Sequence, residues 1–175
     1  MKLISETVES GLIGLYGLCF VGNSICDNIV TQLDVDFVMP NTSEIVHYGL
    51  AHAMPAIADV LGEYAAARNS SLSRPGVLPQ TEKFSNLTEA FSKILDYMIG
   101  LEKETARVID IALSENDKTT AKFLDSFLLN LIPLTKISIA LCDYVEKNGD
   151  EDKDHMQIDS NIKKFIGKIT KYEYK

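Results

Sequence analysis

Asn69-Ser-Ser-Leu-Ser-Arg-Pro-Gly-Val-Leu-Pro-Gln-Thr-Glu-Lys83 decides the fold. With Pro75, Pro79, Gly76 and Ser70, Ser71 and Ser73, it is the clearest loop in the chain. Apolar residues recur at helical spacing on both sides of it. Val46, Leu50, Met54, Ile57, Leu61 and Tyr64 precede it; Leu87, Phe91, Ile94, Met98, Leu101, Thr105, Val108 and Ala112 follow. A helix of about 27 to 30 residues is about 40 Å long. A loop of about 15 residues reaches roughly 50 Å. The loop can therefore travel the length of the helices it joins, which can then run parallel.

The rest of the chain reads outward from there. A first helix is expected from Leu3 to about Gln32, through Val8, Leu12, Leu15, Cys19, Phe20, Ile25 and Ile29. Residues 33–40 read as a connector. Asn41, Thr42 and Ser43 are N-cap types, so they open a second helix that runs to Arg68. Ser85 is the expected cap of the third helix. Ser114-Glu-Asn-Asp117 is a tight junction that forces the third and fourth helices into an antiparallel hairpin. The fourth helix spans Lys118 to Lys147, with Asn148-Gly149 as its stop. Beyond an acidic run, Asp150 to Asp154, a short amphipathic fifth helix carries Ile158, Ile162, Phe165, Ile166 and Ile169. The expectation is an all-α, up-down-down-up four-helix bundle with one long crossover over residues 1–149. An acidic linker and short C-terminal helix would fill 150–175.

Composition bounds the function. The chain of 175 residues has room for one domain with a sizeable core. Its 46% hydrophobic content and mean hydropathy of +0.02 fit a protein that also buries surface between subunits, as a homo-oligomer would, though composition alone does not establish one. The net charge of −8 argues against nucleic-acid binding, which needs a basic stripe, and against anionic membrane surfaces. Cys19, Cys26 and Cys142 read as buried free thiols in a reducing compartment, and so point to the cytoplasm. The apolar run Gly11 to Gly22 lies beside Glu6 and Glu9, where a signal peptide wants positive charge, and it reads as too short to span a bilayer. No Gly-rich phosphate loop, zinc spacing or Ser–His or Cys–His arrangement is present, so no catalytic residue is assigned and no enzyme is expected.

Phe84 to Gly149 resembles, without a gap, the third and fourth helices of bacterial non-haem ferritins. Phe84-Ser-Asn-Leu-Thr-Glu-Ala-Phe91, Asn116-Asp117, Lys122-Phe-Leu124 and Lys147-Asn-Gly149 carry the resemblance. Glu9 and Tyr16 repeat the seven-residue spacing of a metal-binding glutamate and tyrosine in that family. The resemblance implies a ferritin-like bundle and iron(II) oxidation at a carboxylate centre within it. Such a centre needs hard oxygen ligands from all four helices. Carried over by position, the ligand sites fall on Met54 and Ile57, on Met98, and on Leu131 and Leu134. Only Glu9 survives, and one carboxylate among Met and Leu cannot hold two iron ions. Two further motifs are weak metal candidates. Glu44-Ile-Val-His47 is read as a capping box on Asn41 beside a surface histidine. Glu102 lies one turn past the ligand position and is read as a surface or interface carboxylate.

Pro55 and Pro133 stand beside the lost ligand positions and are expected to kink their helices. Such a kink strips the carbonyls of Ala51 and Leu129 of helical partners, and the pair could open a small apolar pocket at mid-bundle. Three functions compete. The first is a ferritin-like oligomer without an intact ferroxidase centre, contributing shell structure or iron storage without catalysis. The second is a non-iron interaction or binding module that uses the 33–40 connector and the fifth helix. The third is an active metal-binding ferritin with displaced ligands Glu9, Glu44, His47 or Glu102. The residues predict no cofactor; iron is the one that the resemblance leaves open.

Overall fold

The computed structural model describes residues 2–148 and 154–167. Helix α1 spans Glu6–Val35; Ser5 is its extended N-cap and accepts a hydrogen bond from the Val8 N–H at 3.3 Å. The connector to the next helix is shorter than expected. It covers only residues 36–39, and its apolar members Phe37 and Met39 turn inward and are buried. Val38 takes φ +56°, a conformation costly for a β-branched side chain.

Helix α2 begins at Pro40 and runs to Val46, with proline in the first turn, where its missing N–H is no loss. Asn41, Thr42 and Ser43 thus lie inside the helix rather than capping it, and Glu44 is an exposed residue rather than half of a capping box. The cap comes from across the molecule. The buried Asp159 carboxylate accepts hydrogen bonds from the backbone N–H groups of Asn41 (3.1 Å) and Thr42 (2.7 Å) and from both their side chains.

The expected second helix is divided. A π-helical turn, His47–Ala51, separates α2 from α3, which spans Ala53–Ala67. Pro55 is therefore the third residue of a fresh helix, not the middle of a long one. The Ala51 carbonyl that it strips accepts from Asn23 Nδ2 of α1 at 3.1 Å. Helix α4 spans Leu87–Ser114. Its cap is Asn86, one residue after the expected Ser85, and Glu89 reaches back to the Ser85 N–H. At the junction Asn116 adopts φ +57°, and Asp117 accepts from the N–H and hydroxyl of Thr120 to start α5, Lys118–Asn148. Helix α5 continues through Pro133. Helix α6, His155–Ile166, is capped by Asp154. Gly149, most of the acidic run and Ile169 lie outside the described residues.

Side-chain contacts fix the directions. Gly22 of α1 lies against Tyr97 of α4 and Gly11 against Val108, so α1 and α4 are antiparallel. Asn23 meets Ala51, and the Leu3 N–H donates to the Arg68 carbonyl, so α1 and α3 are antiparallel too. Consequently α3 and α4 run parallel, and the topology is up-down-down-up. The crossover climbs the outside of α1 from its N-terminal to its C-terminal half. Ser70 bonds Glu9, Pro75 sits on Gly17, Arg74 stacks on the Phe20 ring, and the Glu82 carbonyl accepts from Asn28 and Gln32.

One continuous apolar cluster fills the bundle. Helices α1 and α5 are each long and apolar enough to cross a bilayer by length and composition, contrary to the sequence reading of α1. Half of that stretch of α1 and 39% of that of α5 is buried inside the fold. Helix α5 turns Leu129, Ile132, Pro133 and Ile139 outward.

Candidate functional site

Two places invite chemistry: the layer at mid-bundle and the π turn. The mid-bundle layer is apolar. Met54, Ile57, Met98, Leu131 and Leu134 are all at most 1% exposed and belong to the continuous core. Each such burial stabilises the fold by about 1.5 to 3 kcal/mol. Unpaired carboxylates in their place would cost several kcal/mol apiece without a metal. The hydroxyls nearby are spent on their own helices: Thr105 on the Leu101 carbonyl at 2.8 Å and Ser138 on that of Leu134 at 3.1 Å. These residues do not fit a di-iron centre. Met54, Ile57, Leu131 and Leu134, which flank the two prolines, are buried in the continuous core.

Glu9 does not belong to that layer. Gly11 faces Val108, ten residues along α4 from Met98, and Glu9 lies two residues beyond Gly11, which puts it about 18 Å away along the bundle. Its carboxylate accepts hydrogen bonds from Lys2 and Ser70, which hold its pKa below the ordinary value. The inward α1 residues nearer the layer are Leu15 and Cys19, both fully buried. Burial pushes the Cys19 and Cys26 thiols up to about 12, so they are neutral and inert at ordinary pH. Glu102 ties α4 to α5 through the Thr135 hydroxyl. Glu44 is exposed on α2, and His47 lies in the π turn. The weak metal candidates are thus dispersed. Among the described residues, no three His, Cys, Asp or Glu side chains are arranged to hold a metal ion.

The π turn gathers what the sequence kept apart. His47 and His52 are five residues apart and would lie on different faces of an α-helix. In the π turn the His52 N–H bonds the His47 carbonyl at 2.9 Å, and the two rings lie 4.2 Å apart between centroids. Tyr48 packs its ring edge-on against both. Asp27 of α1, bonded by Asn23 at 3.1 Å, faces His47 Nδ1 at 3.7 Å. Sequence reasoning gave His52 no partner, because only an unforeseen extra residue in the turn aligns the rings. The proline at 55 was the one available signal.

The connector and the fifth helix, expected as outward contacts, pack on each other and also turn apolar side chains to solvent: Val35 is 75%, Val38 56%, Met156 69% and Phe165 56% exposed. Phe37 meets the His155 ring edge-on at 5.5 Å, and Asp159 locks α6 to α2.

Four long helices joined by one external crossover, with a short helix folded back on them, constitute the ferritin-like fold. Solved structures agree over nearly the whole chain. An open pore ferritin from the hyperthermophilic archaeon Archaeoglobus fulgidus overlays with a TM-score of 0.83 at 12% identity, over 91% of this chain and 97% of that one. A study engineering a closed form of Archaeoglobus fulgidus ferritin supplies a second match, with a TM-score of 0.84 at 14% identity over 95% and 99%. A humanized archaeal ferritin gives 0.83 at 15% identity over 95% and 99%. At these identities the likeness is one of fold. No family model and no curated protein matches the sequence.

Proposed function

We propose that this chain is a subunit of a cytoplasmic, homo-oligomeric ferritin-like assembly that forms shell structure without ferroxidase catalysis. The observation that carries the reading is the apolar layer of Met54, Ile57, Met98, Leu131 and Leu134, where an iron centre would need oxygen ligands. Assembly is supported by the outward stripe of α5, on which Leu129 is 65% and Ile132 52% exposed. Such a stripe is costly in water and suits burial against a neighbouring copy. The fold of the archaeal ferritins it overlays supports the same reading. Any part in iron storage is that of a mineral surface or a wall, and neither nucleic acid nor membrane is a partner.

The test is anaerobic loading with iron(II), followed by air, with ferric absorbance recorded on a sample sized by light scattering. The expected result is a cage-sized particle that oxidises iron no faster than buffer. Rapid oxidation would refute the loss of catalysis, and a monomer would refute the shell.

A further inference from the structure

We propose that His47 and His52 form a chelating pair for one divalent transition-metal ion of the copper, nickel or zinc class, with Asp27 as the positioning residue behind His47. The inference stands apart from the mid-bundle reading, because the pair shares no residue with that layer.

Three observations carry it. The first is the backbone. A π turn inserts one residue into a helix and is frequent at functional sites. Here it brings two imidazoles from positions 47 and 52 to 4.2 Å between centroids, with Tyr48 against both rings to limit their rotation. The second is an unmet polar atom. His47 Nδ1 is shut off from solvent and has no hydrogen-bond partner, while the Asp27 carboxylate faces it at 3.7 Å. A metal-bound histidine commonly donates its second ring N–H to a carboxylate, which fixes the tautomer and turns the other nitrogen toward the ion. Asp27 is placed for that role and is itself bonded by Asn23, which also serves the Ala51 carbonyl freed by Pro55. The third is access. His52 is exposed and the His47 side chain is 34% exposed, so an ion can enter from solvent and keep water in its remaining positions.

Neutral imidazole selects copper, nickel and zinc over hard ions such as magnesium or calcium. With two protein ligands, binding follows the order copper above nickel and zinc, and only a small movement of Asp27 toward His47 is needed. His155, packed on Phe37 at the far side of α2, takes no part.

The test uses metal-free protein titrated with copper(II) and zinc(II) by calorimetry. Wild type is compared with His47→Ala, His52→Ala, Asp27→Asn and, as a control, His155→Ala. Expected are one ion per chain, a loss of about tenfold or more in affinity for either His47→Ala or His52→Ala, a smaller loss for Asp27→Asn, and none for His155→Ala. Thermal unfolding of each variant confirms that it is folded. Electron paramagnetic resonance of the wild-type copper complex, which needs no variant, should show hyperfine coupling to two imidazole nitrogens. Coupling to fewer than two, no saturable binding, or unchanged affinity in folded His52→Ala would overturn the proposal.

Discussion

Asp159→Ala should unlatch α6 and expose the start of α2. The native carboxylate is 3% exposed and accepts from Thr42 N at 2.7 Å, Thr42 Oγ1 at 2.8 Å, Asn41 N at 3.1 Å and Asn41 Nδ2 at 2.6 Å. Asn41 is half-buried, and its two donors recover water once the carboxylate is gone. Thr42 is fully buried, and its donors do not. Two stranded donors at about 1 to 3 kcal/mol each, less what the hydroxyl regains by turning to a nearby carbonyl, give a loss of about 2 to 4 kcal/mol. The negative charge also opposes the positive end of the α2 dipole, so Asp159→Asn, which keeps shape but not charge, should lose about 1 to 2 kcal/mol. Urea unfolding followed by circular dichroism measures the global effect. Hydrogen exchange at the Thr42 amide measures the local one, and 2 kcal/mol there is about a 30-fold faster exchange. If Asp159→Ala stays within about 0.5 kcal/mol of wild type and Thr42 exchanges no faster, the latch is not what holds α6 down.

Two glycines of α1 should respond to alanine with opposite sign. At Gly22 the new Cβ would stand 2.4 Å from Tyr97 Cε1, and that ring is anchored by its hydroxyl to the Leu18 carbonyl, so about 1 to 3 kcal/mol is lost. At Gly14 nothing lies within 4 Å, and chemical denaturation should show a gain of about 0.5 to 1 kcal/mol from helix propensity alone. Asn23→Ala should cost about 1 to 2 kcal/mol by orphaning the Ala51 carbonyl. Much of that loss should return in the Asn23→Ala, Pro55→Ala double variant, whose restored N–H can serve the carbonyl; strict additivity of the two changes would refute the link. The buried thiols should make the protein fail in alkali. Cys19 and Cys26 ionise near 12 when folded but near their ordinary 9 when unfolded. Above about pH 9 the native state therefore holds more protons, and stability falls as pH rises through that window, by about 1.4 kcal/mol per pH unit for each thiol. Urea midpoints at pH 8 and pH 10 should diverge, and less so in the Cys19→Ala, Cys26→Ala variant.

The all-helical class and the up-down-down-up topology were legible because they rest on periodicity and loop length, which are local or additive; the division of the second helix at His47–Ala51 was not. The Asn69–Lys83 crossover needed only its composition and reach. What stayed hidden depended on distant partners. Asn41, Thr42 and Ser43 look like caps in isolation, yet Pro40 opens the helix and the carboxylate that serves its end lies more than a hundred residues away. Glu9 had the right spacing to Tyr16 but the wrong height in the bundle, since spacing along one helix says nothing of its register against the others. The His47–His52 pairing depends on a single inserted residue, a small backbone difference that hydrophobic periodicity barely registers.

The crossover is also a ruler. Ser70 is fixed to Glu9 and Glu82 to Asn28 and Gln32, so twelve residues of loop keep step with about twenty of α1. Along the helix that is about 30 Å, whereas twelve residues reach about 40 Å at full extension. The slack is about two to three residues. Lengthening this segment is open to the protein, but shortening it beyond that would draw α3 and α4 out of their parallel alignment.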